Sequence, residues 1–199
     1  MTDQPRQSAV NPDALRATLR REKIAARQAL PVAAHRSASV AVVHHLTEFL
    51  TPMPAGTLAF CMPIRAEVDC RALVAHLIDR GWQAAMPTVA TRDAPMEFRA
   101  WHPEAPMTAD PYGIPVPATP RSLNPDVMLL PLVAFDAAGY RLGYGGGYFD
   151  RTLAAMHPRP LTIGVGFDLC AVADIRPERH DIPLDLIVTE SGIRWVNRP

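Results

Sequence analysis

The sequence predicts an α/β fold: a layered, mostly parallel sheet with helices on both faces. Three observations point there. Short, largely apolar runs such as Leu58–Met62, Asp126–Leu130 and Leu161–Val165 read as strands buried on both sides. Between such runs lie segments whose apolar residues recur at helical spacing. The 199 residues are 48% hydrophobic, enough for one substantial core, so a single domain is expected over 12–199.

The elements follow in order. Residues 1–11 are polar, read as a frayed terminus, and hold no apolar run that could act as an export signal. Asn11 is placed to cap a helix that starts at Pro12 and runs to Leu30. On a helical wheel Leu15, Leu19, Ala26 and Leu30 fall within about 60° of one another, the expected core stripe. Arg16, Arg20 and Arg27 fall within about 40°, roughly one residue step away on its rim. A second helix, 32–50, carries Val40, Val43, Leu46 and Leu50 and ends before Pro52 and Pro54. After the strand Leu58–Met62, a helix is expected over Asp69–Arg80, with Asp69 as cap, Leu73, Leu77 and Ile78 inward, and Gly81 beyond its end. Gln83–Met86 reads as a strand closed by Pro87, and Met96–Trp101 as another. Residues 102–125 contain seven prolines and no periodicity, which predicts a long surface loop. Asp126–Leu130 is a strand, a helix follows near Tyr148–Met156, Leu161–Val165 is a strand, and Leu184–Val188 is the last.

Composition excludes several function classes. Twenty Lys+Arg balance twenty Asp+Glu, so there is no net field to draw nucleic acid or an anionic membrane. No apolar run approaches the ~18 residues of a transmembrane helix. Cys61, Cys70 and Cys170 are scattered and odd in number, as for reduced thiols in a cytoplasmic protein. Lys23 is the only lysine, in a charged segment. A P-loop, which ends in Lys-Ser/Thr, is thereby excluded, and a buried Schiff-base lysine is disfavoured. Nothing marks an obligate assembly, and a monomer or weak homo-oligomer is expected.

Chemistry concentrates in residues 139–151, GYRLGYGGGYFDR. Gly143, Gly145, Gly146 and Gly147 stand between a buried strand and a helix. Without Cβ atoms, backbone N–H groups can turn inward there, and the following helix adds the positive end of its dipole. That is a loop for phosphate oxygens, at the strand end where open α/β sheets bind ligands. Its spacing does not fit a dinucleotide fingerprint, because the third glycine would fall at Tyr148 or Asp150. Beside such a loop Asp150 is a candidate for Mg²⁺, which takes one or two carboxylates with phosphate oxygens and water. Asp174, Asp181 and Asp185 are the options for a second. His180 next to Asp181 reads as a structural or solvated histidine rather than a base with its orienting carboxylate.

These residues resemble a known family. GYRLGYGGGYFDR, preceded by LLPLVAFD (129–136), is similar to the signature of 5-formyltetrahydrofolate cyclo-ligases. LRREKIAARQAL (19–30), EVDCRALV (67–74) and HDIPLDLIVTE (180–190) keep the family's order, so the likeness runs from about Arg16 to Thr189. The resemblance implies a fold related to sugar-phosphate isomerases and CoA transferases. It implies ATP- and Mg²⁺-dependent closure of 5-formyltetrahydrofolate to 5,10-methenyltetrahydrofolate, through phosphorylation of the formyl oxygen and attack by N10. ATP contacts carry over to Arg16, Arg20 and the run Arg141, Leu142, Gly143, Tyr144, Gly145, Gly146, Gly147, Tyr148 and Phe149. Metal contacts carry over to Asp150 and Asp181. Folate contacts carry over to Met62, Glu67, Tyr112 and the loop Tyr144–Tyr148, with Arg141 and Tyr148 as the groups expected to act on reacting atoms. The chain departs from relatives that have lysine at Arg16, arginine at Tyr144 or lysine at Gly146. Triphosphate charge would then fall to Arg16, Arg20, Arg141, Arg151 and Mg²⁺. A folate- or nucleotide-binding relative without activity, and an isomerase-like enzyme of the same fold, are the alternatives.

Overall fold

Seven strands form the central sheet. The computed structural model describes residues 11–196; all but the last residue of the expected frayed terminus lies outside them. In chain order the elements are α1 (Pro12–Gln28), α2 (Val32–Leu50), β1 (Thr57–Ala59), α3 (Arg71–Asp79), β2 (Gln83–Thr88), β3 (Glu97–Trp101), β4 (Met107–Ala109), β5 (Pro115–Pro117), β6 (Val127–Pro131), β7 (Ala134–Phe135), β8 (Arg141–Leu142), α4 (Tyr148–Ala155), β9 (Leu161–Val165), β10 (Leu186–Thr189) and β11 (Gly192–Trp195). The central sheet has the order β11-β10-β9-β6-β1-β2-β3; its five inner strands pair in parallel, and the edges β3 and β11 are antiparallel. The expected mostly parallel sheet is present, with helices on both faces.

Period-two alternation sorts the strand residues. Leu58, Met86, Leu129, Leu186 and Val188 join Leu46 and Leu50 of α2 and Leu73 and Leu77 of α3 in one core. Their neighbours Ala59, Ala85, Met128, Leu130 and Ile187 face the other way, toward Leu153 of α4 and Phe135. Each fully buried leucine contributes about 1.5–3 kcal/mol, and such residues fix the register because a one-residue slip would exchange the two faces. Gly164 in β9 lies under this packing, since a Cβ there would come within 2.6 Å of Leu184.

Several expectations need correction. In α2 Val40 is 63% exposed and Val42 is buried in its place. The third helix begins at Arg71, with Asp69 accepting the Arg71 N–H at 3.0 Å. Pro87 does not close its strand: β2 runs to Thr88, because pairing with β1 stops at Ala85 and leaves no partner on that side for the missing N–H. The proline-rich loop contains a small hairpin, β4–β5. β10 is not last, because β11 folds back on it as an edge strand.

The largest correction concerns α1. Its buried residues are Arg16 and Arg27, while Ala26 of the expected apolar stripe is exposed and Leu15, Leu19 and Leu30 are half-buried. The helix crosses the carboxyl ends of the strands instead of lying on a sheet face, and contacts β7 and the 3-10 turn at 168–170. Strand ends present carbonyls and carboxylates, so the arginines turn inward.

Candidate active site

At the carboxyl ends of β1 and β6 three segments meet: the loop after β1, the glycine-rich loop and α1. The glycine-rich loop does not follow a parallel strand directly. The hairpin β7–β8 intervenes, and Val133 N–H donating to Leu142 O at 3.0 Å returns the chain to the same end of the sheet.

Gly145 (φ +99°) and Gly147 (φ +63°) occupy the left-handed region, where a side chain would be strained. Gly147 is the N-cap of α4, so the loop runs directly into the positive end of that helix. Two arginines strap the loop by its carbonyls: Arg20 Nε donates to Gly143 O at 2.9 Å, and Arg151 donates to Gly146 O at 2.8 Å. Arg151 also lies over the Tyr148 ring, 4.9 Å from its centre.

Asp150, in the first turn of α4, accepts Arg141 Nη2 at 3.2 Å and the Ile182 N–H at 3.0 Å through one oxygen. That second bond brings the neighbouring residue Asp181 to the same place. Asp181 takes the fork of Arg16, at 2.6 and 3.3 Å, and accepts the Glu178 N–H at 2.7 Å. Burial pushes the Asp181 carboxyl up, but Arg16 and the Glu178 N–H outweigh it and hold it below its ordinary value. Asp174 and Asp185 are engaged elsewhere: Asp174 caps Arg176 N–H, and Asp185 binds Thr162. His180 is an exposed side chain, 3.4 Å from Glu178 and 4.0 Å from Asp181.

Four arginines ring this region, in different states. Arg16 is committed to Asp181, whose bond raises its pKa. Arg141 is buried against Asp150 and donates to Ile182 O, and burial lowers its pKa. Arg151 reaches Asp93 as well as the loop. Among the described residues Arg20 has no carboxylate partner; burial and then Arg16 lower its pKa. It lines a cleft of about 520 Å³ with Arg21, Ile24, Arg65 and Tyr144.

Glu67, on the loop after β1, is 7% exposed. Tyr144 Oη donates to its Oε1 at 2.6 Å, and the Ile64 N–H donates to its Oε2 at 3.0 Å. Behind them the fully buried Arg27 donates to Tyr144 Oη at 3.1 Å, Leu132 O at 2.9 Å and Arg65 O at 3.0 Å, and stands 3.7 Å from Glu67. Arg65 lies over the Tyr144 ring at 5.2 Å. Arg65 and Ala66 have positive φ, which folds this loop tightly back on Glu67.

The remaining predicted residues divide. Tyr112, at the tip of the β4–β5 hairpin, meets Tyr148 hydroxyl to hydroxyl at 2.5 Å, above the glycine loop. Met62 is half-buried against the core beneath α2 and α3. Leu142 is fully buried and Phe149 packs against the core of the α4 face, so these two offer the site their backbone rather than their side chains. Arg27 and Arg65 were not among the residues expected at the site. Arg27's signal was its place on the wheel beside Arg16 and Arg20; Arg65 carried none.

The carboxylates suit a hard divalent cation. Asp150 Oδ2 has no hydrogen-bond partner among the described residues, and both acids offer oxygen donors. No cluster of three or more His, Cys, Asp or Glu exists among the described residues. The set therefore fits Mg²⁺ only with substrate oxygens completing its shell.

Comparison with known proteins bears on the family of the chain. The model of the 5-formyltetrahydrofolate cyclo-ligase family matches residues 12–190. The 5-formyltetrahydrofolate cyclo-ligase of Escherichia coli K12 is 33% identical over 146 residues, 70% of this chain and 80% of its own. That of Haemophilus influenzae is 28% identical over 160 residues, 76% of this chain and 85% of its own. Among solved structures, the 5,10-methenyltetrahydrofolate synthetase of Aquifex aeolicus superposes with a TM-score of 0.76 at 28% identity, covering 93% of this chain and 94% of its own. That of Mycoplasma pneumoniae gives 0.71 at 27% identity, covering 88% and 98%.

Proposed function

The chain belongs to the 5-formyltetrahydrofolate cyclo-ligase family, and from that premise we propose that residues 12–199 act as one catalytic domain. The reaction is closure of 5-formyltetrahydrofolate to 5,10-methenyltetrahydrofolate with conversion of ATP to ADP and phosphate. The observation that carries this reading is the convergence of the glycine-rich loop, Arg20, the pair Asp150/Asp181 and Glu67 at one end of the sheet. A formamide oxygen is a poor leaving group. Its attack on the γ-phosphorus forms a P–O bond and breaks the bond to ADP. N10 then bonds to the formyl carbon, the C–O bond breaks, phosphate departs, and N10 loses its proton. Such chemistry needs positioning and charge neutralisation more than a strong base.

The chain's own groups divide that work. The loop backbone at 143–147 and the start of α4 receive phosphate oxygens, and Arg20, which has no carboxylate partner among the described residues, supplies charge to them. Arg16 and Arg141 hold Asp181 and Asp150 in place as well as flanking the phosphates. Asp150 and Asp181 hold Mg²⁺, which when bound neutralises phosphate charge. Glu67 accepts the amide and amine edge of the pterin, and Tyr112 and Tyr148 cover it from the hairpin side. Among the described residues no helix is long and apolar enough to cross a membrane, and we assign the chain to the cytoplasm, as a monomer or weak homo-oligomer.

The test is absorbance at the methenyl-folate band with purified protein, 5-formyltetrahydrofolate and Mg²⁺, with and without ATP. An ATP-dependent rise is expected. Folate binding without any rise would leave a binding protein in place of the enzyme.

A further inference from the structure

We infer that Tyr144 is a positioning residue for folate, acting through Glu67: its hydroxyl, backed by Arg27, holds the Glu67 carboxylate ionised and aimed at the pterin. The inference rests on the assignment of Glu67 to the pterin edge. Neither Tyr144 nor Arg27 is given this part by the phosphate-loop reading.

The geometry is a relay between three segments of the chain. Arg27 comes from α1, Tyr144 from the glycine-rich loop and Glu67 from the loop after β1, and the phenol bridges an arginine and a carboxylate that stand 3.7 Å apart without a hydrogen bond of their own. An ionised carboxylate has about four acceptor positions. Tyr144 fills one on Oε1 and the Ile64 N–H fills one on Oε2. One position on each oxygen is left, which is what a paired N–H and NH₂ edge requires. A protonated Glu67 would turn one of these acceptors into a donor and oppose that edge.

Keeping Glu67 ionised is a problem at this depth. Burial raises its pKa, and the Tyr144 bond is the strongest opposing influence, ahead of the Ile64 N–H and the charges of Arg27 and Arg65. Cys61 and Cys70 also face it, and burial keeps both thiols protonated, Cys70 with a pKa pushed up to about 12. Burial and the Glu67 charge push the Tyr144 hydroxyl up as well, so it remains a donor throughout the working range. Glycine on either side lets the loop place this ring without crowding its neighbours.

The experiment compares wild type with Tyr144→Phe, which removes the donor and keeps the ring. Folate dissociation constants by calorimetry from pH 6 to 8.5 are taken alongside KM for folate and for ATP. A hydrogen bond to a charged group supports roughly a tenfold weakening of folate binding. KM for ATP should change by no more than about twofold, and the acid limb of folate binding should move to higher pH. A merely structural role scales activity at every pH and leaves that limb in place. Unchanged or tighter folate binding, or an unmoved limb, overturns the inference; tighter binding would mean that Tyr144 competes with pterin for Glu67. The calorimetric arm needs no turnover. Wild type that binds folate without ATP-dependent closure therefore removes the enzyme reading while still testing Tyr144, and wild type that binds no folate removes both.

Discussion

Asp150 shows how one side chain does two jobs. In a lone helix it would complement the dipole at the first turn, a contribution of about 0.3–1 kcal/mol. Here one oxygen fastens Arg141 and the backbone at Ile182, and the other has no hydrogen-bond partner among the described residues. Asp150→Asn keeps the shape and removes the charge, and turnover with Mg²⁺ and ATP should fall about 100-fold or more. Circular dichroism should be unchanged. Activity within threefold of wild type would remove Asp150 from the metal assignment. Arg16 makes a complementary point: a charge that the sequence offers to the triphosphate is already bound to Asp181.

Among the elements, α1 is the informative one. Its docking depends on hydrogen bonds from arginine and Lys23 to carbonyls of the loops beyond the strand ends more than on apolar burial. Arg27→Met would keep most of the volume but leave Glu67 buried without its counter-charge and two carbonyls unpaired. We expect a loss of about 3–5 kcal/mol, read from urea unfolding. A loss below about 1 kcal/mol would mean that the helix is held by its leucines after all. The glycine-rich loop is similar in kind, since its shape follows from Gly145 and Gly147 while its position follows from Arg20 and Arg151.

Across the whole molecule the two carboxylates give opposite pH dependence. Asp181 has a depressed pKa when folded, so its contribution is fully present above the ordinary aspartate value of about 3.9 and is lost as pH falls below it. Glu67 has a raised pKa when folded, so the folded state binds more protons than the unfolded one just above about pH 4.3, and its cost grows as pH rises through that window. In melting curves from pH 3 to 8, Asp181→Asn should flatten the rise at the acid end relative to wild type. Glu67→Gln should flatten the decline above it. Parallel curves for either variant would show that the group does not titrate differently on folding.

Apolar runs at Asp126–Leu130 and Leu161–Val165 determined the parallel core strands, because burial on both faces leaves a local signal that needs no partner to be read. The glycine cluster at 143–147 likewise marked a tight loop running into a helix, since left-handed backbone and a helix start are written in adjacent residues. The tertiary structure alone decided that α1 turns its arginines inward, that Arg27 and Tyr144 meet Glu67, and that Asp181 joins Asp150. Those contacts link residues 32 to 165 positions apart. The strength of a buried charge depends on which partner the fold brings to it, and periodicity along the chain carries no record of that partner.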